Sequence, residues 1–251
     1  MLRTRVIPCL LLKNESLIKT VKFKEYNYIG DPVNTVRIFN ELEVDELMFL
    51  DIFASKENRS INFKILKDIA NECFMPLSYG GNIKSLEDAK RIFEIGFEKV
   101  VINSNAFNNP KLIEEIARYF GVQSVVGSID VKKTFFGHLK MYSCHGRKKQ
   151  NISILEWVKQ LENAGIGELL ITSIDREGSW EGYDIDLIKS ISESVQVPVI
   201  ANGGCGNIEH IKEIVHKTNV SACAVGSMVV YQKKGMGVLI NFPIAEDIVK
   251  L

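Results

Sequence analysis

Two stretches of this chain have the residue types that hold an anion. Pro198-Val-Ile-Ala-Asn-Gly-Gly204 ends in paired glycines, and Ser221-Ala-Cys-Ala-Val-Gly-Ser227 ends in Gly-Ser. Each apolar run is too short for a helix, and the small residues at its end let a ligand come close to the backbone. Backbone N–H groups of Gly203, Gly204, Gly226 and Ser227, with the helix pattern that opens at Asn207-Ile208-Glu209, have the makings of a phosphate site. Two tight turns in an ordinary α/β protein would carry the same residues. The unit, however, occurs twice. Shifted back by 122 positions, Pro76-Leu-Ser-Tyr-Gly-Gly81 falls on Pro198 to Gly203, Ser85-Leu86-Glu87 on Asn207-Ile208-Glu209, and Lys99 to Ser104 on Ser221 to Gly226, without a gap. Upstream, Glu46-Leu47-Met48-Phe49 falls on Glu168-Leu169-Leu170-Ile171. A duplicated half is expected.

The elements that position these turns follow from hydrophobic pattern. Strand-like runs recur at 5–12, 46–52, 76–79, 99–103, 124–131, 168–173, 198–202 and 222–226, with helical patterns at 32–43, 61–73, 86–95, 110–120, 152–164, 186–195 and 208–216. Asp31, Ser85, Asn109 and Asn207 stand where helix caps belong. Near-continuous apolar strands alternating with single helices mean a covered parallel sheet. Eight such units predict the α/β class and a (β/α)8 TIM barrel of two duplicated half-barrels, one domain over residues 1–251. A doubly wound open sheet is the alternative, and it leaves the two equivalent halves unexplained.

In a barrel the ligand face lies at the C-terminal ends of the strands. That places Leu11, Asp51, Gly80-Gly81, Asn103-Ser104, Asp130, Ser173, Asn202-Gly203-Gly204 and Gly226-Ser227 together. Two longer loops open on that face. One, 13–30, carries Lys19, Lys22 and Lys24; the other, 132–151, carries His138, His145, Arg147, Lys148 and Lys149 and can form a hairpin around Gly137. Both can close over a phosphorylated small molecule, although a basic loop is also what simple solvation produces. At the opposite face Arg5, Glu46, Lys99 and Glu168 begin strands one, two, four and six. Their alternating signs would make either ion pairs that seal the barrel floor or a gate over a passage along its axis.

Lys plus Arg number 31 and Asp plus Glu 31, so the net charge is zero and no basic stripe suits nucleic acid. No run approaches the length of a membrane span, and Met1-Leu-Arg-Thr-Arg5 is followed by no signal-length apolar stretch, so a cytoplasmic protein is expected. The five cysteines are scattered, with no Cys-x-x-Cys pair. Neither a disulfide framework nor a metal site is expected, and no cofactor is called for.

Taken together, Val6-Ile-Pro-Cys-Leu10, Asp45-Glu-Leu-Met-Phe-Leu-Asp51, Gly80-Gly81, Val101-Ile-Asn-Ser104, Ser128-Ile-Asp-Val-Lys132, Thr172-Ser-Ile-Asp-Arg176 and Gly182-Tyr-Asp184 resemble the cyclase subunit of imidazole glycerol phosphate synthase. The resemblance runs from Arg5 to about Tyr231. It implies a half-barrel-duplicated barrel with a phosphate site in each half, fed with ammonia through the barrel by a glutaminase docked on the N-terminal face. It makes Arg5, Glu46, Lys99 and Glu168 the ammonia gate, Lys19 the lid lysine, Asp130 the second catalytic carboxylate, and Asn103, Ser104, Gly204, Gly226 and Ser227 phosphate contacts.

Three positions depart from that pattern. The family's essential aspartate at the end of strand one is Leu11 here, and an internal offset of 119 lays Leu11 on Asp130. Asn82 replaces the third glycine of the first phosphate turn, and Glu177 replaces an aspartate. A cyclisation needs two positioned proton-transfer groups, each worth about two to four orders of magnitude, and a leucine is neither. The runs Leu10-Leu-Leu-Lys-Asn14, Thr20-Val-Lys-Phe-Lys24 and Val238-Leu-Ile-Asn-Phe-Pro243 are similar to a subgroup associated with amidation of N-acetyl sugars in surface polysaccharide pathways. There the barrel and its glutaminase pass ammonia to a separate N-acetyl sugar amidotransferase. The expected function is thus an ammonia-conducting barrel without cyclase chemistry. A working cyclase of histidine biosynthesis, a lyase, is the alternative. A phosphosugar isomerase or aldolase comes third, and the aldolase lacks a Schiff-base lysine at any strand end.

Overall fold

The computed structural model describes residues 3–243; Met1, Leu2 and residues 244–251, the two ends of the expected domain, lie outside the described residues. The first half runs β1 (Arg5–Lys13), β2 (Ser16–Thr20), β3 (Tyr26–Gly30), α1 (Pro32–Glu41), β4 (Leu47–Asp51), α2 (Phe63–Glu72), β5 (Leu77–Gly80), α3 (Leu86–Ile95), β6 (Lys99–Ile102), α4 (Ser104–Asn108) and α5 (Lys111–Phe120). The second runs β7 (Val125–Lys133), β8 (Leu139–Ser143), β9 (Lys148–Lys149), α6 (Ile154–Asn163), β10 (Glu168–Ser173), α7 (Ile185–Ser192), β11 (Val199–Asn202), α8 (Ile208–Lys217), β12 (Ala222–Val225) and α9 (Ser227–Val230). Strands β1, β4, β5, β6, β7, β10, β11 and β12 pair in parallel, each with the next, and β12 returns to β1. The sheet closes into a (β/α)8 TIM barrel.

Alternation along each strand sorts its side chains into two cores. Outward residues such as Val6, Phe49 and Ile129 join the helices in a large outer cluster. Inward ones form a separate small cluster, Ile7, Cys9, Met48, Val101, Val126, Leu170, Ile200, Ala222 and Ala224, inside the barrel. Asp31, Ser85 and Asn207 cap α1, α3 and α8 by accepting a backbone N–H from Asn34, Asp88 and His210. Asn109 does not cap: Pro110 occupies the position before α5, which has no side-chain cap. The two long loops are hairpins, β2–β3 and β8–β9, each grown from the first strand of its half.

The duplication is visible in the registers. Leu47 faces Leu77 as Leu169 faces Val199, an offset of 122, and Leu11 faces Leu50 as Asp130 faces Thr172, which returns 119 for the first strand. The gapless frame needs one correction. Strand β12 starts at Ala222 where β6 starts at Lys99, and Gly226 and Asn103 share nearly the same backbone angles, −118°, −82° and −121°, −86°, so the offset there is 123. The extra residue enters between α8 and β12. It makes Gly226 the mate of Asn103, and Ser227 the mate of Ser104. Among the described residues no helix is long and apolar enough to cross a membrane.

Candidate functional site

The C-terminal ends of the barrel strands surround a cavity of about 120 Å³, lined by Asn103, Ser104, Asp130, Gly203, Gly204, Gly226, Ser227 and Lys19, with Leu11 beside them. The residues expected at the mouth are therefore brought together except Ser173, whose hydroxyl is turned to Asp184 at 3.4 Å; its neighbour Thr172 lines the cavity instead. The volume falls short of what a drug-sized ligand usually occupies, because the two hairpins fold over the opening. Phe23, from the β2–β3 turn, stacks on His145, from the β8–β9 turn, at 5.0 Å between ring centroids and 10° between planes. Phe53 packs on His145 as well, tilted by 37° at 5.2 Å.

Asp130 sits at the centre of a hydrogen-bond chain. Asn103 Nδ2 donates to its Oδ2 at 2.9 Å, and Thr172, its partner in the strand register, gives it a second hydrogen bond. The Thr172 hydroxyl in turn accepts from Asn202 Nδ2 at 3.0 Å. Burial outweighs these donors and pushes the Asp130 carboxyl up to about 7. Because the Asn103 amide nitrogen is turned to the carboxylate, its Oδ1 is left buried without a partner. Across the barrel Leu11 packs with Ile18 and Phe53, against Leu50 and Ile52. That wall is apolar where its symmetry mate is titratable.

The two anion turns differ in what already fills them. In the second half, Gly204 has φ +106°, and a Cβ on it would lie 2.1 Å from the Gly182 carbonyl oxygen, so only glycine fits. Gly226 caps α9, and the Lys19 side chain passes 3.0 Å from where a Gly226 Cβ would be. Lys19 is buried and ion-paired with Glu177, whose other oxygen accepts the Phe23 N–H at 3.2 Å. In the first half, Asn82 takes the left-handed conformation at φ +52°, but its amide donates to the Arg59 carbonyl at 2.7 Å. Ser104 Oγ accepts the Cys144 N–H at 2.9 Å. Asp51 also lines the cavity, and Arg59 donates to both its oxygens at 2.9 Å.

His145 is the residue whose role the pattern of charges obscured. It stands in a basic loop, yet burial, with Lys56 and Arg147 nearby, holds its imidazole down to about 4, so it is neutral at physiological pH. Nothing in the local sequence distinguishes it from its exposed neighbours. Thr172 was recoverable: it lies two positions beyond Leu170 and so shares its inward face.

At the other end of the barrel the four strand-start charges also meet. Arg5 donates to Glu46 and to Glu168, each at 2.6 Å, and Lys99 reaches Glu46 at 3.1 Å and Glu168 at 3.2 Å. Every carboxylate touches both cations. Among the described residues no group of three or more His, Cys, Asp or Glu is placed to hold a metal.

The family described as Histidine biosynthesis protein matches residues 5–235. The chain belongs to that family. It is 51% identical over 243 residues to a Pseudomonas aeruginosa protein provisionally named imidazole glycerol phosphate synthase subunit hisF2, with 97% of each chain covered. It is 44% identical over 248 residues to a provisionally named HisF subunit of Leptospira borgpetersenii, with 98% of each covered. It is 41% identical over 253 residues to the imidazole glycerol phosphate synthase subunit HisF of Methanococcus vannielii, with 93% of each covered. This histidine biosynthesis family member is thus a HisF-like cyclase-subunit homologue along nearly its whole length.

Two predictions follow from the mouth of this HisF-like barrel. The folded Asp130 carboxyl holds its proton up to about 7 against 3.8 ordinarily, whereas the unfolded chain releases it near the lower value. Its contribution to stability is complete below the lower value and is lost as pH rises through the upper one. Asp130→Asn removes that dependence, so urea unfolding from pH 4 to 8 is expected to show the variant gaining about 2–4 kcal/mol relative to wild type across the range. A flat difference would contradict the assignment. Sulfate soaked into crystals is expected at Gly204, Gly226 and Ser227 before Asn82 and Ser104, whose polar groups the protein already engages; density at the first-half turn alone would overturn this.

Proposed function

We propose that this chain is the barrel subunit of a glutamine amidotransferase complex. A glutaminase seats on the face that carries Arg5, Glu46, Lys99 and Glu168, and ammonia passes along the barrel axis to the mouth. A separate amidotransferase uses it there to amidate an N-acetyl sugar of a surface polysaccharide. The ring of four charges is the gate, Lys19 belongs to the lid, and Asn103, Ser104, Gly203, Gly204, Gly226 and Ser227 are the phosphate contacts that remain at the mouth. The single observation that carries the reading is the sequence of environments along the axis. A charged floor gives way to the apolar wall of Ile7, Met48, Val101, Val126, Leu170 and Ile200, and that to a mouth with Asp130 but Leu11 as its mate.

Such a path suits a small neutral molecule. Ammonia needs no carboxylate to leave, while ring closure needs a proton removed and another delivered. The floor supports a docking partner as well. Phe74, 88% exposed, and Val122, 52% exposed, stand in helix-to-strand connections on that side of the barrel. A partner seated on this face would cover both.

A working cyclase of histidine biosynthesis, a lyase, is the second reading. The name of the Methanococcus vannielii relative favours it, as does the gathering of all the phosphate-contact residues around one cavity. One experiment separates the two. The purified chain is given the open-chain ribulosyl intermediate of the cyclase reaction with excess ammonium salt. No loss above background is expected, and turnover within about tenfold of a typical enzyme median of roughly 10 per second would promote the cyclase. In parallel, co-expression with a glutaminase subunit of imidazole glycerol phosphate synthase type is expected to yield a complex with stimulated glutamine hydrolysis. Absence of both complex and stimulation would remove the channel reading.

A further inference from the structure

The hairpin of β7 and β8 ends in a patch for which the mouth chemistry has no use. Phe135 and Phe136 at its tip are 98% and 82% exposed, with rings edge to face at 5.5 Å and 85°. Large apolar side chains scattered singly are ordinary on a surface; two adjacent phenylalanines held fully in water are not. Around them, positions 132–150 carry six cations, Lys132, Lys133, Lys140, Arg147, Lys148 and Lys149, and no Asp or Glu, in a chain of zero net charge. Among the described residues only Lys133 of the six reaches a carboxylate, Asp184 at 3.7 Å.

The tip is presented, not frayed. Four paired positions, Asp130 with Tyr142 through Lys133 with Leu139, hold the two strands together. The turn is closed by Thr134 N–H to the His138 carbonyl at 2.8 Å and Gly137 N–H to the Thr134 carbonyl at 2.9 Å. β7 carries Asp130 into the mouth and then runs on, so at about 3.3 Å per residue the phenylalanines stand roughly 15 Å beyond the carboxylate. Whatever covers the mouth meets them.

We propose that this hairpin is the docking post for the enzyme that accepts the ammonia, with Phe135 and Phe136 entering an apolar pocket on an acidic face of that partner. The inference rests on the reading that ammonia leaves at the mouth. Ammonia released into neutral water becomes ammonium, which is no nucleophile, so delivery requires the acceptor to seal the exit. Aromatic anchors ringed by charge supply the affinity and the steering that such a contact needs. A bilayer is the other surface that takes aromatic residues among lysines, but a membrane gripping the tip would lay the exit against headgroups and leave no room for an acceptor. The all-cationic ribbon fixes the partner's complement as acidic.

The test uses the chain with its glutaminase and the N-acetyl sugar amidotransferase, co-expressed and purified. Amidation is followed from glutamine and, separately, from ammonium chloride. The variants are Phe135→Ser/Phe136→Ser and Lys148→Glu/Lys149→Glu. Both are expected to stimulate the glutaminase like wild type and to permit ammonium-driven amidation, while glutamine-driven amidation and binding of the amidotransferase fall by roughly tenfold or more. Loss in the lysine variant should shrink as salt rises. Wild-type glutamine-driven amidation by the double phenylalanine variant overturns the docking post. Failure of the wild-type chain itself to support that amidation sinks the underlying reading, and is seen without any variant. Sedimentation with roughly 70:30 phosphatidylcholine–phosphatidylglycerol vesicles that is lost in the phenylalanine variant would assign the patch to a bilayer and also overturn the proposal.

Discussion

Closing eight parallel strands into a barrel gives every strand one inward face, and inward residues then recur at every second position. Nearly everything distinctive about this molecule depends on that constraint. Along β1 it stacks Arg5, Ile7, Cys9 and Leu11 in order up the axis, and along β10 it stacks Glu168, Leu170 and Thr172. The register between strands sets the levels. Charged residues therefore meet at the floor, aliphatic ones fill the middle and polar ones crowd the mouth, although no two of the floor residues are near in sequence.

The energetics of the three levels differ. Charges taken out of water are costly unless paired, and the Glu46 side chain is only 5% exposed. Contact of each carboxylate with both Arg5 and Lys99 satisfies the group, and the 27% exposure of the Arg5 side chain keeps the ring in touch with solvent. Above it the environment is dry: burial pushes the Cys9 thiol up to about 12, so it stays protonated. Such an interior disfavours any ion and leaves a small neutral solute comparatively unhindered.

Much of this was legible in the sequence because it rests on period-two patterning and on turn chemistry. Strand ends, the twofold repeat and three of the four named caps follow from local residue type. Asn109 failed as a cap because Pro110, whose fixed φ suits a helix start, takes that position itself. The one-residue slip between α8 and β12 is decided by the strand registers and by the backbone angles at Asn103 and Gly226: Lys99 stands opposite Ser78 as Ala222 stands opposite Ile200. Long-range pairings were illegible for another reason. Lys19 with Glu177, or His145 with Phe23 and Phe53, are choices made by hairpins meeting in space, and the charge pattern of a loop says nothing about which side chain turns inward.

Leu11 shows how a single substitution spreads through a site. Its neighbours are not those of a vacated carboxylate: Ile18 on the hairpin, Phe53 after β4, and Leu50 and Ile52 beside them form one apolar cluster with it. The opposite wall shows what an acid requires in this barrel. Asp130 has hydrogen bonds from Asn103 and Thr172, and burial still raises its carboxyl to about 7. A carboxylate at position 11 would lie against those four apolar side chains, none of which can give it a hydrogen bond. Loss of the acid is therefore matched by the packing of the hairpin against β4. The asymmetry of the mouth is a property of the half-barrel, not of one residue.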